Sequence, residues 1–201
     1  MPLELDLTHV DPERLRAAVF SALEQQSAEV TVPATESTRM PSRLPSTKRL
    51  KEGAQETMKE EGADAGAAEY FQSLLELGYL VASADGLAKE EREALAKLVE
   101  QATESAVERE ALKRHFDDLD GGAEVLGRRE RLARVAANFE DATSRAEAIG
   151  FAVLIAIADG KLADPEARVL LELGSHFSLT EGEVESMLGQ VVASIRVALE
   201  G

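Results

Sequence analysis

The chain has no cysteine, which excludes disulfides, thiolate metal sites and cysteine nucleophiles together. Tryptophan is also absent and aromatics make up only 4% of the 201 residues, so a core has to be built from Leu, Val, Ile and Ala. No apolar run approaches the roughly 18–20 residues of a membrane-spanning helix. The longest, Ile149 to Ala158, halts on Asp159. Met1-Pro-Leu-Glu-Leu-Asp6 lacks the basic start and apolar stretch of a secretory signal, so the expectation is a soluble, cytoplasmic protein without direct membrane insertion. Positive charge is scarce: 22 Lys and Arg against 38 Asp and Glu leave a formal charge of −16. That balance disfavours nucleic-acid binding through phosphates and favours cations or basic partners.

Catalytic signatures are missing as well. No Gly-x-Ser-x-Gly elbow occurs, Asp159-Gly-Lys lacks the rest of a phosphate-binding loop, and His9, His115 and His176 show no zinc spacing. Asp117-Asp-Leu-Asp-Gly121 looks calcium-like, but Gly122 and Ala123 stand where an EF-hand needs an oxygen ligand and a glycine. It reads as a loop. Arg128, Arg129, Arg131 and Arg134 cluster on one helical stretch, and on an acidic protein they read as an intramolecular ion-pair face. No enzyme is expected.

What the chain does have is Ala, Leu and Glu in helical periodicity from Ala68 onward. Tyr70, Phe71, Leu74, Leu75, Leu77, Leu80 and Val81 form a broad apolar helix ending at Asp85-Gly86. Residues 90–103 follow, then 107–116, broken by the acidic stretch at 117–122, then a helix through Leu132, Val135, Ala136 and Phe139. The stretch from Ile149 to Ala158 has no polar residue, so its helix has no face for water and belongs at the centre. Ser144-Arg-Ala-Glu147 has the pattern of a capping box opening that helix, predicted over 144–158. Asp164-Pro-Glu166 and Thr180-Glu-Gly-Glu183 start two more. The expectation is an all-α bundle of seven helices over residues 68–201.

Residues 1–32 read as a small α/β arm. Leu3, Leu5, Leu7, Val30 and Val32 alternate as short strands would, around a helix started by Asp11-Pro-Glu13 with Leu15, Ala18, Val19, Ala22 and Leu23 on one face. Such a piece cannot bury a core alone, which leaves two readings: packing on its own domain, or a docking or dimerisation arm. Residues 33–67 read as a flexible linker on their Pro, Ser, Thr and charge. Within it Arg39-Met-Pro-Ser42 and Arg43-Leu-Pro-Ser46 repeat in tandem, and residues 39–51 carry basic but no acidic side chains. This segment is either a solvated tether or a ligand for an acidic groove, this protein's own included, with Ser42 and Ser46 as sites for phosphate.

Val81-Ala-Ser-Ala-Asp85-Gly86 and Ile155-Ala-Ile-Ala-Asp159-Gly160 both end an apolar helix on Asp-Gly, then lead to an acidic helix start and a leucine stripe. Glu91, Leu95 and Leu98 in the first half correspond to Glu166, Leu170 and Leu173 in the second, which suggests two related halves. With Phe177-Ser-Leu-Thr-Glu181 as a closing turn, this pattern resembles the TerB-like family over about residues 68–199. That family includes tellurite-resistance proteins and the N-terminal domain of certain membrane-anchored DnaJ-like co-chaperones. The resemblance implies an all-helical, non-enzymatic domain tied to stress response, with acidic residues that bind metal. Residues 1–67 have no counterpart in it.

An Asp at a helix C-terminus is repelled by the carbonyl end and needs compensation. In one reading Asp85, Glu91, Asp159 and Glu166 gather around a divalent cation, Ca²⁺ or Mg²⁺, which takes such oxygen ligands. In the other, each Asp caps the following helix. Two functions follow from different classes: an adaptor that binds a protein partner or another copy of itself, and a cation-responsive stress protein.

Overall fold

The computed structural model describes residues 7–26, 42–59, 64–84, 86, 89–123 and 127–200. Among them lie nine helices and no strand: α1 (Pro12–Gln26), α2 (Thr47–Thr57), α3 (Ala65–Ala82), α4 (Lys89–Ala102), α5 (Arg109–Ala123), α6 (Arg128–Ala137), α7 (Ala142–Ala156), α8 (Asp164–His176) and α9 (Glu181–Glu200). Seven of these, α3 to α9, fall between Ala65 and Glu200.

The centre is α7, as the apolar run requires. Every residue from Ala146 to Ile157 is buried. α3 packs along it, and Gly78 permits the approach, since a Cβ there would lie 3.1 Å from the Phe151 ring. α8 and α9 close the other sides, α9 through Val184, Met187, Leu188, Val191, Val192 and Ile195. α4 and α5 pair on the flank of α3, while α6 bridges α3 and α8.

The helix starts follow local chemistry, with one exchange. Thr180 and Glu183 form the expected reciprocal box: the Thr180 N–H donates to Glu183 at 2.8 Å, and the Glu183 N–H to the Thr180 hydroxyl at 3.3 Å. At α7, however, Asp141 is the cap and accepts from the Ser144 N–H at 2.9 Å. The box expected from Ser144 and Glu147 does not form, because Asp141 offers an ionised acceptor one turn earlier. That backbone bond is the main reason the Asp141 carboxyl is held below its usual range.

Two expectations are corrected, and a third, left between two readings, gains an observation for one of them. First, α5 runs straight through the acidic stretch 117–122 that read as a breaking loop. Arg92 on α4 pairs with both Asp117 and Asp120, and Tyr79 on α3 donates to Asp120, so the like charges are neutralised from outside the helix. Second, the linker reading of 33–67 fails over 42–59 and over 64–67, where Asp64 caps α3 and Ala65–Ala67 begin it. α2 is capped by Ser46, buries Leu50 and Ala54 with Leu44 just ahead of it, and packs along α3. Gly53 makes this possible: a Cβ there would fall 2.6 Å from both the Ala67 carbonyl oxygen and the Phe71 Cβ. Residues 33–41 and 60–63 lie outside the described residues.

Third, the apolar face of the N-terminal helix is covered by the chain itself. Leu15, Ala18, Val19, Ala22 and Leu23 of α1 are buried in the common core, against α9 and α4. Arg14 donates to the Leu199 carbonyl at 2.6 Å, and the Leu7 N–H to the Gly160 carbonyl at 2.6 Å. Of the two readings of the arm, packing on its own domain accounts for that helix. Of the strands expected at Leu3, Leu5, Leu7, Val30 and Val32, only Leu7 falls among the described residues, and it lies in no strand.

Candidate functional site

Both Asp-Gly turns use their glycine as the sequence requires. Gly86 has φ +105° and Gly160 φ +90°, a region that suits glycine. The first turn has a cation at its carbonyl end: Arg128 donates to the Ser83 and Ala84 carbonyls at 2.6 and 2.8 Å, which offsets the partial negative charge there. In the second turn the exposed Asp159 accepts from the Lys161 N–H at 2.9 Å and so closes its own turn. It does not cap α8. That work falls to Glu166, which accepts from the Ala163 N–H at 2.9 Å. The two described members of the candidate cation set, Asp159 and Glu166, are thus each bonded to their own stretch of backbone. Asp85 and the side chain of Glu91 lie outside the described residues. Among those described, no group of three or more His, Asp and Glu stands ready to hold a metal ion.

The arginine cluster on α6 is engaged within the chain. Besides Arg128, Arg129 pairs with Glu172 on α8 at 3.2 Å and Arg134 with Glu130 at 2.7 Å. Arg131 is buried and joins Glu76 on α3 at 3.0 Å to the Leu119 carbonyl at 3.0 Å. Tyr79 lies beside it. Burial first, and the hydrogen bond to Asp120 second, push the Tyr79 hydroxyl up to about 12.

A different group is the chemically unusual one. Glu147, in the first half of the central helix, has a side chain only 5% exposed. Three groups converge on it. The Tyr70 hydroxyl of α3 donates to its carboxylate at 2.6 Å, Arg49 of α2 pairs with the same oxygen, and Arg43 reaches the other oxygen at 3.4 Å. The Arg49 guanidinium also lies over the Tyr70 ring, 3.7 Å from its centroid, so cation, ring and carboxylate form one stack. Burial, with the Glu147 charge beside it, drives the Tyr70 hydroxyl well above the ordinary phenol range. Behind the stack, Tyr70 meets Phe139 edge-on and Phe139 meets Phe177.

The chain crossing this face is the Arg-Leu-Pro-Ser segment. The Ser42 N–H donates to Gln190 of α9 at 3.1 Å, and Arg43 passes over Gly150 of α7 so closely that any Cβ there would strike its carbonyl oxygen. Lys51 continues the pattern with Glu104 at 2.5 Å. Sequence reasoning missed Glu147 by giving it to the capping box. A signal was present in the acidic residue between Ala146 and Ala148, at the head of an apolar run, with a basic segment elsewhere in need of an acid.

An apolar helix, a glycine-closed turn and an amphipathic helix, occurring twice in one bundle without a strand among the described residues, define a small all-helical class of protein. The chain belongs to the TerB family: residues 71–188, more than half of its length, match the family described as Tellurite resistance protein TerB. That family is generally non-enzymatic. No curated protein and no solved structure matches the chain. The match starts within α3, so α1, α2 and Arg43 precede it. No described helix is long and apolar enough to cross a membrane.

Proposed function

We propose that this protein is a non-enzymatic TerB-type adaptor, linked to stress response of the tellurite-resistance kind, whose helical bundle binds protein partners. One observation carries the reading: the α3–α7 face already holds a stretch of polypeptide from outside the family-matched region, through arginines on a buried carboxylate. A bundle that recognises chain in this way has the chemistry of a binding module rather than of a catalyst. Cross-linking of the tagged full-length protein in its host, followed by quantitative mass spectrometry, tests the reading. A specific protein retained by the wild-type chain, and not by an unrelated acidic helical control, is the expected result. Recovery of the same background by both would remove the adaptor function.

The second reading is a divalent-cation site built from Asp85, Glu91, Asp159 and Glu166, with Ca²⁺ or Mg²⁺ as the ion. The exposed Asp159 at its turn favours it. Calorimetric titration of the full chain with Ca²⁺, Mg²⁺ and Zn²⁺, repeated on Asp159→Asn, decides it. Heats that vanish in the variant support the site, and heats equal in both forms remove it.

A further inference from the structure

We infer that the face formed by α3, α7 and α9 is a peptide groove for a basic Arg-apolar-Pro-Ser segment leading into a helix, and that residues 42–57 occupy it in cis in place of a partner segment of the same chemistry. The inference rests on the adaptor reading and names its partner chemistry.

Four observations support it. The contact is built around charge at its centre: Arg43 and Arg49 meet on Glu147, which is buried, and Lys51 meets Glu104 at 2.5 Å. Glu147 belongs to α7 and Glu104 follows the end of α4, so acids from two parts of the bundle meet the basic segment, and residues 39–51 carry no acid of their own. The groove admits main chain, because the missing side chain at Gly150 lets the Arg43 carbonyl lie where a Cβ would fall, with the Leu44 side chain beside it. The segment has its own helix start, the Ser46 cap on the Arg49 N–H at 3.2 Å, and lies N-terminal to the family-matched region, while Leu44, Leu50 and Ala54 anchor it in the common core. Finally, the pattern occurs twice in tandem, as Arg39-Met-Pro-Ser42 and Arg43-Leu-Pro-Ser46, so the chain carries the same basic-apolar-proline chemistry in two copies.

The selection rule follows from desolvation. A segment that covers this face takes the Glu147 carboxylate out of water, and a buried carboxylate without a cation is strongly unfavourable. An incoming segment has to supply a cation at that point. A planar guanidinium, which both pairs with the carboxylate and stacks on Tyr70, does so better than an ammonium. Ahead of that helical arginine, a second one in the place of Arg43 reaches the other carboxylate oxygen, an apolar residue takes the place of Leu44, and the following proline holds the segment extended until its helix begins. A partner segment would displace α2 rather than add to it, so α2 sets a threshold for binding.

The test uses the full chain and a fluorescein-labelled peptide of residues 42–58, read by anisotropy. Two forms loosen the cis segment by different means: Arg43→Ala with Arg49→Ala, which removes its cations, and Gly53→Val, which drives it from Ala67 and Phe71. Both should keep a cooperative melt and bind the peptide at least tenfold more tightly than wild type. Adding Glu147→Gln to either should lose at least tenfold, and a peptide with both arginines replaced by alanine should not bind. Folded release variants that bind no better than wild type overturn the inference. Loss of the cooperative melt in both forms also overturns it, by making α2 part of the core. Self-association of the release variants that added peptide cannot reverse assigns the groove to a second copy and likewise overturns it. If the peptide fails while cross-linking still recovers a partner, the adaptor reading stands and only this groove is lost.

Discussion

Glu147 shows what a single buried charge costs and what it specifies. Removing a carboxylate from water is unfavourable by several kcal/mol, and the attraction of a partner offsets this only with good geometry and further hydrogen bonds. Here the geometry includes a tyrosine hydroxyl at 2.6 Å and two arginines from another part of the chain. Because Arg49 is 40% exposed, its pair with Glu147 is partly screened. A double-mutant cycle of Arg49→Ala and Glu147→Gln, measured by urea unfolding, should give a coupling of about 0.5–3 kcal/mol. A value near zero would mean that Tyr70 and Arg43 satisfy the carboxylate without Arg49. The capping-box pattern concealed this residue from sequence reasoning, since Ser-x-x-Glu is also what a helix start looks like. The deciding groups, Tyr70 and Arg49, are distant in sequence and become neighbours only on folding. The tyrosines add a pH dependence. Both Tyr70 and Tyr79 titrate higher when folded than their ordinary 10.0, so above that pH the unfolded chain loses protons that the folded chain keeps. Stability should therefore be intact below about pH 10 and fall as pH rises toward 12. Thermal melts of Tyr70→Phe with Tyr79→Phe should show a flatter alkaline slope than wild type.

The helices themselves divide by where their information lies. α7 was legible because an apolar run with no polar interruption has one stable location, and replacing Leu154, which has no exposed surface, by Asp should unfold the bundle. A soluble Leu154→Asp variant with an intact helical spectrum would show that α7 is not the hub. The Asp-Gly closures were legible for a similarly local reason, that glycine is the usual left-handed residue after a helix, although Glu104, Ser105 and Ser178 take that region after α4 and α8. α5 and α2 were not. Continuing α5 across 117–122 depends on Arg92 and Tyr79 from other helices, and α2 has only a narrow apolar stripe whose burial depends on the missing Cβ at Gly53. The two turns allow a comparison. Gly86→Ala meets nothing within 4 Å and should cost only backbone strain, about 1–2 kcal/mol. Gly160→Ala has that strain and also places a Cβ 3.1 Å from the Leu7 carbonyl group and 3.2 Å from the Leu15 side chain. It should melt lower than Gly86→Ala, and equal melting temperatures would mean that the N-terminal segment yields at no cost.

At the scale of the molecule, the question is what holds the parts outside the family-matched region to the bundle. Sequence reasoning left α1 between an internal prop and an arm for association, because an amphipathic helix looks the same in either role. Burial separates them. Leu15, Val19 and Leu23 are at most 1% exposed, with α9 and α4 beneath them. Each such side chain contributes about 1.5–3 kcal/mol when fully buried, an upper estimate because the unfolded chain already hides part of it. Arg14 on the Leu199 carbonyl and Leu7 on the Gly160 carbonyl tie down the first turn of this helix and the segment that leads into it. Deleting residues 1–26 should therefore lower the melting temperature and uncover an apolar strip on α9 and α4. A strip of that kind on a chain in water drives association, so the truncated protein should sediment as a concentration-dependent oligomer. Adding a peptide of residues 1–26 should reverse both effects by covering the strip again. If the truncated chain instead melts as the full chain does and keeps its sedimentation coefficient per mass, α1 contributes no stability to the bundle, and its apolar face has to be explained by something other than the helices it touches.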